Sequence, residues 1–191
     1  MHRLRLLSLA VPFCVALLSG PTPVVATTIV GGTVAELAAS SDLVVAGTVV
    51  QSESTYADSM IVTRTTLRVE QVYQGGVTAN EIVIVSPGGR VGDLATRVAG
   101  ADTYTVGEQV LVFLQQSEDG NYGSVALAFS KFTLAPSEGG WTATRQADGA
   151  TVLVAGTDGT LVPADGSFPS VVPLNVLEEQ LAPSQAPEVV P

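Results

Sequence analysis

The residues from Ile61 to Glu70 alternate between the two faces of an extended chain. One face carries Ile61, Thr63, Thr65, Leu67 and Val69, and the other carries Arg64, Thr66, Arg68 and Glu70. A period of two predicts a strand with one face exposed to solvent, and the strand is predicted to continue to Gln74. The alternation slips at Val72, which predicts a bulge or bend of the kind that curls a small sheet into a barrel.

Two other elements are predicted before this strand. The segment from Leu43 to Gln51 is apolar on both faces, which is typical of a central strand. The polar residues from Ser52 to Ser59 predict a loop between the two strands. Upstream, Thr33 and Glu36 have the spacing of a capping box, so the segment from Thr33 to Ser40 predicts a short helix.

Further short β segments follow, separated by Gly, Pro and Asp signals. They are a strand from Glu81 to Ser86, an edge strand from Asp93 to Ala99, a core strand from Gln109 to Leu114, a strand from Tyr122 to Leu134 with a phase slip at Ser130 and Lys131, and a strand from Trp141 to Arg145. The pattern predicts a mainly β fold, a small antiparallel sandwich or barrel of about five to seven strands. Six large aromatic residues are expected in its core: Tyr104, Phe113, Tyr122, Phe129, Phe132 and Trp141.

The first 26 residues have the pattern of a signal peptide. Arg3 and Arg5 form a basic start, the apolar run from Leu6 to Leu18 is too short to span a bilayer, and Val24-Val25-Ala26 is a cleavage site for signal peptidase. We expect cleavage after Ala26 and an exported protein, secreted or periplasmic, with no membrane attachment afterwards.

The segments flanking the barrel give weaker patterns. Residues 27–32 predict a flexible N-terminal segment, and residues 33–147 contain the barrel. Within residues 148–181 the pattern predicts a β-hairpin, from Thr151–Val154 and Thr160–Val162, and a short helix from Leu174 to Leu181. Residues 182–191 include three prolines and little to bury, so a disordered tail is expected.

The charge excludes some partners. Cleavage leaves 6 of the 8 basic residues against 18 acidic ones, a formal net charge of −12. Such a surface repels nucleic acid and anionic lipid, since both are bound mainly by clustered Lys and Arg. Nucleic acid is therefore not an expected partner, and scattered acids of this kind serve solubility.

Catalytic chemistry is restricted as well, because His2 and Cys14 both lie in the leader. The motif from Ile29 to Gly32 matches the activated N-terminus of trypsin-like proteases, which need a histidine that the mature chain does not have. Zinc and copper sites draw on the same residue types, and no cofactor or metal is expected. We assign no catalytic residues. Lys131 is interpreted as a solvated residue that does not act with its neighbour Ser130 as a dyad.

One glycine-rich segment is the candidate binding loop. It runs from Pro87 to Asp93, lacks the Lys-Ser/Thr ending of a phosphate loop, and contains the residues that we assign to binding: Pro87, Gly88, Gly89, Arg90 and Asp93. The segment from Ser52 to Ser59 is a second candidate loop.

The order of motifs resembles a known family. A short helix is followed by the strand Asp-Leu-Val-Val-Ala-Gly-Thr-Val from Asp42, a strand ending Val-Glu-Gln-Val-Tyr-Gln-Gly at Gly75, a Pro-Gly-Gly loop and Val-Gly-Glu-Gln-Val-Leu-Val-Phe-Leu ending at Leu114. From about Ala35 to Leu134 the chain is similar to the netrin-module and tissue-inhibitor-of-metalloproteinase type of OB-fold barrel, in a cysteine-free exported bacterial form. The inhibitors of that family chelate a zinc through an N-terminal cysteine, which is missing here, so no inhibitory residue is carried over.

Two functions remain open from the sequence. The first is a secreted, non-enzymatic binding module that contacts a protein or glycan, a protease among them, through its barrel loops. The second is a metal-independent hydrolase that uses Asp or Glu carboxylates, which would require a cleft with paired carboxylates of raised pKa. Binding is favoured, because no acid pair has convincing spacing. The sequence does not indicate an oligomeric state.

Overall fold

The computed structural model describes residues 27–145, 150–155, 160–163 and 170–182. The predicted signal peptide and, apart from Ala182, the predicted tail lie outside the described residues. Among those that are described, no helix is long and apolar enough to cross a membrane.

The described residues are mainly β. The part of the chain that the structure describes has thirteen strands: β1 (Thr27–Val30), β2 (Leu43–Ala57), β3 (Met60–Gln74), β4 (Glu81–Pro87), β5 (Gly89–Val91), β6 (Leu94–Thr96), β7 (Gln109–Gln116), β8 (Tyr122–Ser124), β9 (Lys131–Ser137), β10 (Gly140–Arg145), β11 (Ala150–Ala155), β12 (Leu161–Pro163) and β13 (Val171–Pro173). The helices are α1 (Val34–Ala39) and α2 (Leu174–Leu181), and a 3-10 turn spans Leu127–Ser130. The prediction of a mainly β fold is confirmed.

Five strands form a ring in the order β7, β2, β3, β4 and β8, with β8 pairing back onto β7. One contact is short, since β4 and β8 pair in parallel only at Ile84 and Tyr122. The other pairings within the ring are antiparallel. Its interior is apolar, with Leu43, Val45, Val49, Leu67, Ile82, Ile84, Val110, Val112, Leu114 and Tyr122 in one buried cluster. Beyond β7 the same sheet continues through β9, β10 and β13.

Strands β2 and β3 form the longest pairing and follow the predicted alternation. Thr65 and Leu67 are fully buried, while Arg64 and Arg68 are exposed. The register shifts where Val44 pairs with Gln74 but Val45 pairs with Val72, which leaves Tyr73 as an extra residue in β3. The predicted irregularity at Val72 is therefore confirmed, and a bulge of this kind increases local twist.

The prediction of a loop from Ser52 to Ser59 is wrong. Strand β2 continues to Ala57, which pairs with Met60, and the reversal is confined to Asp58 and Ser59. Asp58 adopts the left-handed conformation, with φ of 52°, that tight hairpin turns require. Polar side chains do not prevent a strand, because the ladder uses backbone groups.

Two other predicted strands are divided. The segment from Tyr122 to Leu134 is interrupted by the 3-10 turn, where Leu127 has φ of 50°, and resumes as β9. The segment predicted as an edge strand from Asp93 contributes only β6, which pairs with β5 as a separate hairpin. The strands predicted from Glu81, Gln109 and Trp141 correspond to β4, β7 and β10.

The helices pack on a second buried cluster outside the ring. Its buried members include Val34, Leu37, Phe113, Phe129, Phe132 and Leu177. The capping box of α1 is confirmed, since the backbone N–H of Glu36 donates to Oγ1 of Thr33 at 3.2 Å and the backbone N–H of Thr33 donates to Oε2 of Glu36 at 2.7 Å. Helix α2 has the predicted bounds and docks through Leu177, which is 1% exposed.

The remaining predictions have mixed outcomes. Strands β11 and β12 pair as the predicted antiparallel hairpin. The N-terminal segment, expected to be flexible, contains β1, which pairs in parallel with β11.

Four of the six aromatic residues expected in the core are buried and Tyr104 is partly buried, but Trp141 is 43% exposed. The prediction that Trp141 lies in the core is wrong, because this residue lies beside the exposed turn of the β9–β10 hairpin, opposite Pro136.

Candidate functional site

A cavity of about 780 Å³ lies at one end of the ring. Ser52, Ser54 and Thr63 form its wall on β2 and β3, and the segment 96–104 forms the wall that faces them. Side chains from the start of β9 close its base. We call this cavity the end pocket, and its volume is in the range of small-ligand sites, about 300–1,000 Å³.

The rim of the end pocket is the connection between β4 and β5. Thr63 Oγ1 donates to the carbonyl oxygen of Gly88 at 2.8 Å, and Ser54 Oγ lies 3.0 Å from Thr63 Oγ1. Gly89 has φ of +133°, and a Cβ added there would lie 2.2 Å from Ser54 Oγ and 2.4 Å from Thr63 Oγ1. Only a residue without a side chain lets the backbone approach these hydroxyls.

The base of the end pocket contains a buried ion pair. The ammonium of Lys131 lies 2.8 Å from Oε1 and 2.9 Å from Oε2 of Glu108, and it also donates to the carbonyl oxygen of Thr103. Thr133 Oγ1 donates to Glu108 Oε1 at 2.6 Å. Lys131 is 9% exposed, so its interpretation as a solvated residue is wrong. The 3-10 turn before β9 changes the alternation and directs the lysine inward.

Lys131 and Ser130 do not act together, as expected from the sequence. Ser130 Oγ donates to the carbonyl oxygen of Leu127 at 2.8 Å, whereas the ammonium of Lys131 is bound to Glu108. The base that a serine nucleophile needs is therefore not directed at this serine.

The carboxyl of Glu108 has a lowered pKa. Burial alone raises this pKa, but hydrogen bonds from Lys131, Thr133 and the backbone N–H of Thr105, together with the charge of Lys131, outweigh it. The carboxylate is thus held ionised and paired. A carboxyl group that acts as a general acid near neutral pH needs a raised pKa instead.

A second polar cluster lies beside the ion pair. The hydroxyls of Tyr104 and Ser124 both donate to Oδ2 of the buried Asp102, at 2.7 and 2.6 Å. Burial, and the negative charge of Asp102, raise the pKa of Tyr104 well above its usual value, so this phenol stays protonated. The ammonium of Lys131 stands 4.7 Å from the centre of the Tyr104 ring and covers one of its faces.

The residues assigned to binding from the sequence divide into two groups. Pro87, Gly88 and Gly89 line the end pocket. Arg90 and Asp93 are exposed on the β5–β6 hairpin, Arg90 in β5 and Asp93 in the turn, and neither is among the lining residues. Ser52 and Ser54, from the second candidate loop, line the pocket as members of β2.

Sequence reasoning missed the residues of the two polar clusters. Glu108 and Lys131 are 23 positions apart, and Asp102 and Ser124 are 22 apart. They meet only because β7 pairs with both β8 and β9. No local motif marks them, and the one sequence signal is that Lys131 is the single lysine of the chain.

The described residues contain no group of three or more His, Cys, Asp or Glu side chains that could hold a metal ion. No protein-family model matches the chain, and no curated protein matches it.

Proposed function

We propose that the chain is an exported binding module with an OB-like, netrin-type barrel, and that its end pocket binds an extended segment of a partner protein. The observation that carries this proposal is the pocket itself: a cavity of about 780 Å³ lined by hydroxyls and by the irregular backbone of residues 97–103. Polar backbone groups and hydroxyls are the groups that hydrogen-bond a peptide main chain.

The buried charged groups at the base of the pocket support binding over hydrolysis. Lys131 is neutralised by Glu108, and Asp102 accepts hydrogen bonds from Tyr104 and Ser124. A carboxylate hydrolase requires one carboxyl with a raised pKa, whereas the pKa of Glu108 is lowered. Glu108 is thus held as an ion-paired carboxylate that fixes the wall of the pocket, and it is not suited to act as a general acid.

A peptide fits this lining better than a glycan does. Sugar rings are commonly bound by stacking on an exposed aromatic face, and Tyr104 is the single aromatic among the described residues that line the pocket. One face of its ring is occupied by Lys131 at 4.7 Å. Val98, which is 37% exposed, offers apolar contact for a peptide side chain at the rim.

The OB-like assignment is supported by the five-stranded ring and by the bulged β2–β3 pair that curves around it. In OB barrels the loops at one side of the barrel bind extended polymers. The acidic surface favours a protein segment over a nucleic acid for that role.

The proposal is tested by selection from a displayed library of random peptides, in parallel with a glycan array and a panel of glycosidase and esterase substrates. Ala101→Trp fills the pocket from its wall, and Ala95→Trp places the same side chain on the exposed β6, outside the pocket. We expect a peptide consensus that binds the natural sequence and Ala95→Trp but not a folded Ala101→Trp. Selection of glycans alone, or turnover of a substrate, would overturn the proposal.

A further inference from the structure

Asp102 is a buried carboxylate that uses only one of its two oxygens within the protein. The hydroxyls of Tyr104 and Ser124 both donate to Oδ2, at 2.7 and 2.6 Å. No hydrogen bond from the described residues reaches Oδ1. Each oxygen of an ionised carboxylate accepts hydrogen bonds, and buried acceptors are normally satisfied. Oδ1 is therefore left to accept from another molecule.

This open oxygen faces the end pocket. Asp102 is 4% exposed and lines the pocket. Its Oδ1 is not among the side-chain atoms of the described residues that are both closed off from solvent and without a hydrogen bond. A smaller cavity of about 280 Å³ lies beside Ser124, but Asp102 does not line it. The end pocket is therefore the space from which a ligand reaches Oδ1.

Asp102 has no positively charged partner among the described residues. The ion pairs there join two other acids, Glu70 and Glu108, to their partners. The ammonium of Lys131 covers one face of the Tyr104 ring and is bound by both oxygens of Glu108. A buried carboxylate without a counter-charge is costly, and a cation that pairs with it recovers part of that cost. The site therefore favours a ligand with a positive charge.

The occupied oxygen of Asp102 selects among cations. A guanidinium pairs best with a carboxylate through two parallel hydrogen bonds, one to each oxygen, and Oδ2 already accepts two. An ammonium is a compact charge with three donors, so it can bind Oδ1 alone. The adjoining wall supplies further acceptors, since the carbonyl oxygens of Ala99 and Ala101 accept no hydrogen bond from the described residues. One open oxygen thus fits an ammonium better than a guanidinium.

The charge of the whole chain favours the same kind of ligand. Its formal net charge is −10, which attracts positively charged segments and raises their rate of association. Arg97 is the one exposed cation among the described residues that line the pocket. Water and salt screen its repulsion of a cationic ligand, whereas the buried Asp102 is screened much less.

We infer that Asp102 anchors a cation subsite of the end pocket, in which its Oδ1 binds an ammonium group of the bound segment. This inference rests on the proposed function and makes it more specific. The ammonium belongs to a lysine side chain or to the amino terminus of the segment. Tyr104 and Ser124 hold the carboxylate in position for this contact.

Four tripeptides test the subsite by NMR titration of the folded protein. Three have the form N-acetyl-Gly-X-Gly N-methylamide, in which X is lysine, arginine or norleucine. The fourth is the norleucine peptide with a free amino terminus. We expect the lysine peptide or the free-amine peptide to bind about tenfold more tightly than acetylated norleucine, and more tightly than arginine, because a charge-assisted hydrogen bond is gained. Whichever of the two binds tightly identifies the source of the ammonium.

Variants separate Asp102 from the general charge of the chain. Asp102→Asn keeps the shape of the side chain and should abolish the preference for an ammonium. Asp93→Asn removes the same charge from the exposed β5–β6 turn, outside the pocket, and should keep the preference. If Asp102→Asn does not fold, the 13Cγ resonance of Asp102 in the natural sequence replaces it. This resonance should shift with the tightly bound peptide and not with acetylated norleucine.

The outcomes separate the two proposals. If all four tripeptides bind the pocket equally, or if the preference survives Asp102→Asn, Oδ1 binds water only, and the subsite is refuted while the pocket stands. Tightest binding of the arginine peptide would overturn the choice of an ammonium.

If no tripeptide binds, the selected peptides are measured after their lysines are replaced by norleucine and their amino termini are acetylated. A loss of about tenfold supports the subsite, and unchanged affinity refutes it. If the selected peptides do not shift the resonances of residues that line the pocket either, the proposed function fails as well.

Discussion

The ammonium of Lys131 and the carboxylate of Glu108 form a two-oxygen ion pair, with Nζ 2.8 Å from Oε1 and 2.9 Å from Oε2. Their side chains are only 10% and 16% exposed, so the pair joins β9 to the start of β7 beneath the end pocket. Because Thr103 and Tyr104 contact the same ammonium, the pair also fixes the wall of the pocket that the segment 96–104 forms.

Breaking this pair should destabilise the protein strongly. Removing one partner leaves the other charge buried and unpaired, which typically costs about 3–5 kcal/mol. Lys131→Met should therefore lower the free energy of unfolding by that amount in urea titrations. The double variant Lys131→Met/Glu108→Gln should recover at least half of the loss, since neither charge then remains. A loss below roughly 1 kcal/mol in the single variant would show that the pair behaves as an exposed surface pair.

The same carboxyl should contribute to acid sensitivity. The pKa of Glu108 is lowered in the folded state, so its contribution to stability is present above the unfolded pKa, about 4.3, and is lost as the pH falls through the folded value. The double variant should lose less stability than the natural sequence between pH 5 and the acid limit of folding. Glu118→Gln, in an exposed turn, is the control and should follow the natural sequence. If the free energy of unfolding falls with pH in the same way in the double variant and in the natural sequence, Glu108 does not contribute to acid sensitivity.

Gly89 should tolerate no side chain. Gly89→Ala places a Cβ 2.2 Å from Ser54 Oγ in a backbone conformation that L residues avoid, and we expect a loss of roughly 2–4 kcal/mol. Gly92→Ala is the matched control, because Gly92 also has positive φ, +59°, but a Cβ there meets nothing within 4 Å. Its expected cost is about 1 kcal/mol, from the backbone alone. Thermal and urea unfolding of both variants measure the difference, and equal losses would mean that the contact with Ser54 is not restrictive.

Helix α2 should be part of the folded unit. Leu177 is 1% exposed within the cluster that contains Phe113 and Phe132, and Tyr73 donates to Glu178 at 2.8 Å. Leu177→Ala should lower the free energy of unfolding by about 2–5 kcal/mol. The exposed Glu179→Ala should change it by less than about 0.5 kcal/mol. If Leu177→Ala is as mild as that control, α2 is not docked in solution.

Local patterns were enough to predict several elements. The capping box at Thr33 and Glu36 needs residues only three positions apart, and the alternation from Ile61 to Glu70 needs only one face to be buried. The bulge at Val72 could likewise be predicted, because the alternation of apolar and polar residues breaks there. These features depend on neighbours in the sequence.

Other features depend on partners far along the chain and could not be read locally. The continuation of β2 through Ser52 and Ser54 follows from its pairing with β3, which overrides the polar composition. The sequence pattern predicts the wrong environment for Lys131, because the 3-10 turn before it changes which face it occupies and its partner Glu108 is 23 residues away. The candidate loop at Pro87 was close to the site, but the wall from 96 to 104 was not foreseen.

Mapping a selected peptide on the 15N-labelled protein by NMR shows whether the end pocket binds a protein segment. Saturating peptide should shift the amide resonances of residues 52–54, 88–89 and 96–104 and leave those of α2 unchanged. Ala101→Trp should remove the shifts, and Ala95→Trp should keep them. Shifts centred elsewhere, or equal shifts in the two variants, would show that the end pocket is not the binding site.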